Sequence, residues 1–311
     1  MNKIDLYTKL YGALHNRQFV PNIFLKPFRL IVRKLAYKSL VIDKYRVNKY
    51  PERIKKDVIV SLTSFPQRLN NLWIVIESIK NQSYKPKKII LWLSSKEMNE
   101  RNAEIPESLQ KEIDDIFEIK YVDDILYCHL KYYYAFKDYP HHTIITLDDD
   151  IIYHPDTIKT LFDTSEKYPH AIISNFVRQI SFNGKHLSPY NDWKTIQDNK
   201  INLNPNLLLL GYSGVLYKPH LFNPLLYDKS VFQKLCPKAD DLWLSANAKF
   251  SNIPIIKSNF NKPLIFIDQD TPKLSSANVN QNQNDIQINN ILNFFKKDFN
   301  INLFTPKEIK D

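Results

Sequence analysis

Glycine is scarce in this chain. Four glycines, Gly12, Gly184, Gly211 and Gly214, are spread over 311 residues. Neither a G-x-G-x-x-G dinucleotide turn nor a G-x-x-x-x-G-K-[ST] phosphate loop can be assembled from them, which excludes fingerprinted Rossmann dehydrogenases and P-loop NTPases. Cysteine is rarer still: Cys128 and Cys236 alone cannot build a disulfide framework or a cysteine zinc cluster, so a reducing compartment is expected. No apolar run approaches the ~18–20 residues of a spanning helix, and Met1 is not followed by a signal-peptide core. Carboxylates are almost missing from the N-terminus. Of 43 basic and 33 acidic residues, 14 basic and only 3 acidic ones fall within residues 1–56. Residues 57–311 are left with 29 against 30.

The net charge of +10 is therefore an N-terminal attachment on a nearly neutral body. Charged content of 24% beside 43% hydrophobic content is that of a folded protein. The length admits two domains or one large α/β domain with an extension. In the extension, Phe28, Ile31, Val32, Leu35 and Ile42 share a narrow arc at helical spacing, flanked by Arg29, Arg33, Lys34 and Lys38. Such a helix either lies in the interface of an anionic membrane through residues 23–46 or packs its stripe on its own body. Charge confined to one segment, with no accompanying motif, argues against nucleic acid. A cytoplasmic protein is expected, with peripheral attachment to the inner face of the cell membrane as the open alternative.

In the body, Asp57 to Leu62 reads as a buried strand, and Leu69, Leu72, Trp73, Ile76 and Ile79 mark a helix. Lys88 to Leu93 is a second strand, which makes a βαβ unit and predicts a parallel sheet. Glu118 to Val122, Thr143 to Leu147 and Ala171 to Val177 are further strand candidates, and residues 96–118 are weakly helical. Lys131 to Phe136 and a segment opened by Pro155 and closed by Pro169 predict helices. Residues 181–206 read as a polar excursion. Residues 275–290, rich in Asn and Gln, read as loop ahead of a helix around Ile291 to Phe295. The fold class expected is α/β, a mixed, mostly parallel sheet flanked by helices with a basic helical extension over 1–56.

Three carboxylates, Asp148, Asp149 and Asp150, follow the T-I-I-T-L strand, at the end where open α/β sheets bind ligands. Extended alternation sends Asp148 and Asp150 to one side and Asp149 to the other. Two carboxylates so placed can hold a hard divalent ion that keeps positions open for water and phosphate oxygens. A solvated acidic turn is the bland alternative. A second pair, Asp240-Asp241, stands ahead of Leu242, Trp243 and Leu244, where it could equally cap a helix. Gly211 and Gly214 suit either close backbone approach to a ligand or a turn between strands.

The order S-L-T-S-F-P-Q-R (61–68), K-Y-Y-Y-A-F (131–136), I-I-T-L-D-D-D-I-I-Y (144–153), G-Y-S-G-V-L-Y-K-P (211–219) and C-P-K-A-D-D-L-W-L (236–244) resembles bacterial GT-A-fold glycosyltransferases. These are the family-2-like, DxD-containing enzymes of capsule, lipopolysaccharide and other surface glycans. The resemblance spans roughly residues 57–295 and implies that 57–311 is a catalytic domain. It implies a nucleotide-sugar donor, commonly a UDP-sugar, a glycan or lipid-linked glycan acceptor, and Mn2+ or Mg2+. By the same resemblance Asp148 and Asp150 bind the metal, Asp148 also touches the ribose, and Asp149 supports them. Thr63, Ser64, Arg68 and Lys131 become nucleotide contacts. Asp241 becomes the general base of an inverting hexosyltransferase, with Asp240 orienting, and Gly211, Tyr212, Gly214 and Trp243 face the sugar or acceptor, as Trp193 also could. The pattern lacks a C-terminal histidine as third metal ligand, since His186 and His220 are poor candidates, and water could fill that position. Two other readings compete: a haloacid-dehalogenase-like phosphohydrolase, whose motif normally sits near the chain start, and a non-catalytic membrane-bound scaffold.

Overall fold

The computed structural model describes residues 3–15, 22–44, 54–267 and 283–306. The strands that carry the architecture are β1 (Val58–Thr63), β2 (Lys88–Ser94), β3 (Phe117–Val122), β4 (Thr143–Thr146), β5 (Ile172–Ser174), β6 (Val177–Gln179), β7 (Lys194–Ile196), β8 (Leu207–Leu209), β9 (Val215–Tyr217) and β10 (Ile255–Lys257). The main helices are α1 (Lys3–His15), α2 (Asn22–Lys44), α3 (Leu69–Lys80), α4 (Leu130–Asp138), α5 (Thr157–Lys167), α6 (Asp240–Phe250) and α7 (Gln283–Phe299). Seven strands form the central sheet in the order β10-β5-β9-β4-β1-β2-β3. Only β9 runs against its neighbours, so the sheet is mixed and mostly parallel, as expected.

Side-chain alternation explains the layers. Val58, Val60 and Leu62 of β1 and Ile89, Leu91 and Leu93 of β2 face one side, where they pack with Leu72, Val75, Ile76 and Ile79 of α3 and Leu161 of α5. Ile59, Ile90 and Trp92 face the other, against Tyr132 and Phe136 of α4, Trp243 and Leu244 of α6, and Ile291 and Phe295 of α7. A sheet covered on both faces calls for near-continuous apolar strands, and these runs supply them.

The topology gathers several loops at one edge. β1 and β4 are parallel neighbours, with Ser61 opposite Thr146. The loop after Thr63 and the acidic triplet after Thr146 therefore leave the sheet side by side. β9 starts antiparallel at Val215, opposite Thr146, and brings the turn Gly211–Ser213 to the same edge.

The structure corrects several expectations. Ala171 to Val177 is two strands in two sheets: β5 is central, while β6 pairs with β7 and β8 in a separate antiparallel sheet. Asn175 makes the break. Its backbone N–H donates to Gly214 O, its Nδ2 donates to Ser213 O, and its Oδ1 accepts from Ser258 Oγ. The excursion 181–206 contains β7 and a small hairpin. Residues 96–118 hold two short helices, Ser95–Glu100 and Glu107–Gln110. Within 275–290, α7 begins at Gln283, and Asn284, Gln287 and Ile288 are buried. The stripe predicted for the extension also divides. Leu25, Val32, Ala36 and Leu40 of α2 are buried, whereas Phe28, Ile31 and Leu35 face solvent; the side chain of Ile42 lies outside the described residues. Ile4, Tyr11, Val32, Ala36 and Leu40 join the main core, so the extension packs on the body. No helix among the described residues is long and apolar enough to cross a membrane.

Candidate active site

Thr63, Ser64, Arg68, Lys131, Asp148, Asp149, Asp150, Tyr212, Asp240 and Asp241 line one cavity of about 750 Å3 at this sheet edge. Two cations, Arg68 and Lys131, organise the five aspartates of the two acidic clusters. Arg68, at the end of the loop after β1, donates through Nη1 to Asp149 Oδ1 at 2.5 Å and reaches Asp150 Oδ2 at 3.4 Å. Ser64 Oγ donates to Asp149 Oδ2 at 2.5 Å. Lys131 Nζ, near the start of α4, lies 2.8 Å from Asp148 Oδ1 and 2.9 Å from Asp240 Oδ2. Lys131 is held in place by its own backbone, whose carbonyl accepts from Ser61 Oγ of β1 at 2.6 Å. Lys131 thus ties the first acidic cluster to the second.

This differs from the alternation expected of an extended strand. Residues 149 and 150 form a turn, so Asp149 and Asp150 converge on Arg68 while Asp148 faces Lys131. Thr63 lines the cavity, but its hydroxyl is spent on Trp92 O at 2.9 Å.

Asp241 is the most perturbed of the carboxyls. Burial first, then repulsion from Asp240 and Asp148, push it up to about 8, against attraction from Lys131 and a hydrogen bond from Gly211. The Gly211 N–H donates to both of its oxygens, at 3.0 and 3.1 Å. Gly211 approaches both groups closely: a Cβ there would lie 2.6 Å from Asp241 Oδ1 and 2.9 Å from Lys131 Nζ, so a larger residue would displace those side-chain ends. Although Asp240 and Asp241 open α6, its N-cap is Ala239 and neither carboxylate caps it. Their place in the first turn still favours negative charge through the helix dipole. Burial raises the Asp149 carboxyl despite Arg68 and Ser64. Burial works to lower Lys131, yet Asp148, Asp240 and Asp241 together raise it well above an ordinary lysine, so it stays charged.

Trp243, Trp193 and Gly214, expected at the sugar, lie outside the cavity lining. Trp243 is wholly buried, with Nε1 donating to Leu226 O at 3.0 Å, and cannot stack on a sugar. Trp193 is likewise buried, bonded to Ser188 O. Gly214 adopts φ +92 against Leu147, Leu161 and Thr157, a backbone conformation that the turn into β9 requires of a glycine.

Other cavity residues escaped the motif reading. Arg178 of β6 is fixed by Nη1 to Tyr190 O at 3.0 Å and Trp193 O at 3.1 Å, and its guanidinium lies 4.4 Å from the Tyr190 ring centroid. An arginine directly after the apolar pair Phe176-Val177 was the available signal. Arg101, Tyr127 and Lys238 also line the wall. The buried Tyr153 hydroxyl accepts from Asp148 N–H at 2.7 Å and lies 3.2 Å from Tyr212 O, which it can donate to.

Carboxylate oxygen is a donor type that a hard divalent cation of the Mg2+ or Mn2+ kind takes, although Asp148 turns toward Lys131 and Asp150 toward Arg68. Asp148 and Asp150 present carboxylate oxygens on the cavity wall with 31% and 17% of their side chains exposed. No group of three His, Cys, Asp or Glu suited to a metal occurs among the described residues. Lys131 and Arg68 now balance the same carboxylates.

No protein-family model and no curated protein sequence matches the chain. Solved structures resemble it at a distance. A mannosyltransferase from Pyrobaculum calidifontis, in complex with GDP-Man and Mn2+, shares 10% identity with a TM-score of 0.45, over 97% of this chain and 77% of that one. A 4-diphosphocytidyl-2C-methyl-D-erythritol synthase from Anaerococcus prevotii shares 12% identity with a TM-score of 0.39, over 74% and 96%. An apo UDP-glucose pyrophosphorylase shares 9% with a TM-score of 0.38, over 79% and 99%. Likenesses this remote carry no argument about fold or chemistry.

Proposed function

We propose that the chain is a nucleotide-sugar-dependent, inverting glycosyltransferase of the hexosyltransferase type. It would move a sugar from a nucleoside-diphosphate donor, with a UDP-sugar the expected one, to a hydroxyl of a glycan or lipid-linked glycan in surface-polysaccharide synthesis. The observation that carries the reading is Lys131, which joins Asp148 of the strand-end triplet to Asp240 of the second acidic pair inside one cavity. On this reading the residues assigned to the donor and the residues assigned to the acceptor line one cavity of about 750 Å3. The choice of acceptor rests on the resemblance of the motif order to surface-glycan enzymes alone.

In this reading Arg68 and Lys131 meet the donor's diphosphate, and Arg68 offers a planar fork that a lysine would not reproduce. A divalent ion held by Asp148 and Asp150 would supply charge neutralisation for the departing diphosphate. Asp241 takes the proton of the acceptor hydroxyl as that oxygen forms its bond to the anomeric carbon. The bond from that carbon to the diphosphate oxygen breaks, and the nucleoside diphosphate leaves with the electron pair. A carboxyl near 8 is a better base than an ordinary aspartate, and it works only in its ionised form. Transfer should accordingly rise with pH toward that value. A haloacid-dehalogenase-like reaction fits less well, because Asp240-Asp241 opens α6 instead of ending a strand.

Calorimetry with nucleoside diphosphates tests the donor site. Binding that is strengthened by Mn2+ and weakened about tenfold or more by Arg68→Ala supports it. Absence of binding by every nucleoside diphosphate, with and without Mn2+, would overturn it.

A further inference from the structure

The helix α2 carries two apolar faces. One, with Leu25, Val32, Ala36 and Leu40, is buried. The other carries Phe24, Phe28, Ile31 and Leu35 at i, i+4, i+7 and i+11, which at 100° per residue fall within an arc of about 60°. These four are 64%, 57%, 54% and 41% exposed. A monomeric soluble protein rarely leaves a contiguous stripe of large apolar side chains in water.

Charge identifies the occupant. Lys34 and Lys38 project along one border of the stripe, and both are exposed. The neighbouring helix α1, packed against α2, adds exposed Leu6 and Leu10 with exposed Lys3, while Lys9 pairs with Asp5 at 3.0 Å. Residues 1–56 hold 14 basic side chains against 3 acidic ones. A second copy of this surface would bring like charges together around the stripe. A surface of anionic headgroups over acyl chains satisfies both features: apolar side chains enter the hydrocarbon boundary while lysine stems reach back to the headgroups.

We propose that the exposed face of α2, Phe24, Phe28, Ile31 and Leu35 bordered by Lys34 and Lys38, docks the protein on an anionic lipid bilayer. Only the apolar rings and chains enter the interface. The opposite face of α2 stays packed on the body, which holds the sheet next to the membrane plane. The docking goes beyond the proposed reaction and does not depend on it.

Vesicle flotation of the full chain tests the proposal, using phosphatidylcholine alone or mixed with about one third phosphatidylglycerol. The expected result is flotation with the mixed vesicles at low salt and at least about tenfold less with phosphatidylcholine alone or at high salt. Phe28→Ser with Ile31→Ser should abolish it without altering the circular dichroism spectrum or Tm, since both residues are exposed. Lys34→Gln with Lys38→Gln should weaken it by about fivefold per lysine. Failure of the wild-type protein to float with anionic vesicles would overturn the proposal, as would flotation unchanged by the serine substitutions. A dimer in sedimentation velocity, dissolved by those same substitutions, would overturn it in favour of a second copy. None of these outcomes bears on whether nucleoside diphosphates bind the cavity, so the two readings fail separately.

Discussion

The cavity and the N-terminal helical pair handle charge in opposite ways. In the cavity, four aspartates are paired with cations at fixed distances, Asp149 and Asp150 with Arg68 and Asp148 and Asp240 with Lys131, while Asp241 has only the Gly211 N–H beside its oxygens and is raised toward the protonated form. On α2, Lys34 and Lys38 stand in solvent beside exposed apolar side chains. Charges removed from water need specific partners, because an uncompensated buried ion is costly. Surface charges need none and are worth little to stability. The two regions should therefore respond very differently to mutation.

The largest contrast should come from Lys131→Met. Keeping the stem and deleting the cation leaves Asp148 and Asp240 facing one another, at a cost of about 3–5 kcal/mol in urea denaturation at neutral pH. A loss below about 1 kcal/mol would mean that water reaches the site freely and that the comparison overstates its burial. Asp241→Asn should show a smaller effect of opposite sign. The Asp241 carboxyl is raised from about 3.8 unfolded to about 8 folded, so the folded state holds the extra proton between those values and stability falls as pH rises through that window. Removing the charge should raise Tm by a few degrees at pH 8 and above, with the gain vanishing near pH 4. A Tm difference independent of pH would contradict the burial of this carboxyl. At the bottom of the scale, the serine substitutions on α2 should each stay within about 0.5 kcal/mol of wild type.

How much of this was legible beforehand follows from the same contrast. Runs such as V-I-V-S-L and K-I-I-L-W-L suit a doubly covered sheet, because a strand buried on both faces needs apolar residues at successive positions. The acidic clusters were legible as residue types that need a reason to sit after buried strands or before helices. Their pairing was not. That Lys131 bridges the two clusters depends on the register of α4 against β1, set by Ser61, which sequence spacing does not encode. The turn at Asp149 and Asp150 overrode strand alternation for a similar reason: Arg68 lies where both can reach it. The start of α7 was hidden because buried Asn284 and Gln287 look like loop residues in a segment rich in Asn and Gln, although Ile288, Ile291 and Phe295 keep helical spacing. In α2 the search for one apolar face merged residues from two, and only packing separates Val32 from Ile31.

The central claim is that Asp241, held by Gly211 in a cavity shared with the acidic triplet, accepts the acceptor's proton during sugar transfer. Its most direct test is the transfer rate of Asp241→Asn measured beside its affinity for the nucleoside-diphosphate donor. The account predicts donor affinity unchanged within about twofold and a rate lower by about 10²–10⁴-fold, with the wild-type rise toward pH 8 absent from the variant. A variant that transfers at near wild-type rate with the same pH profile would contradict it.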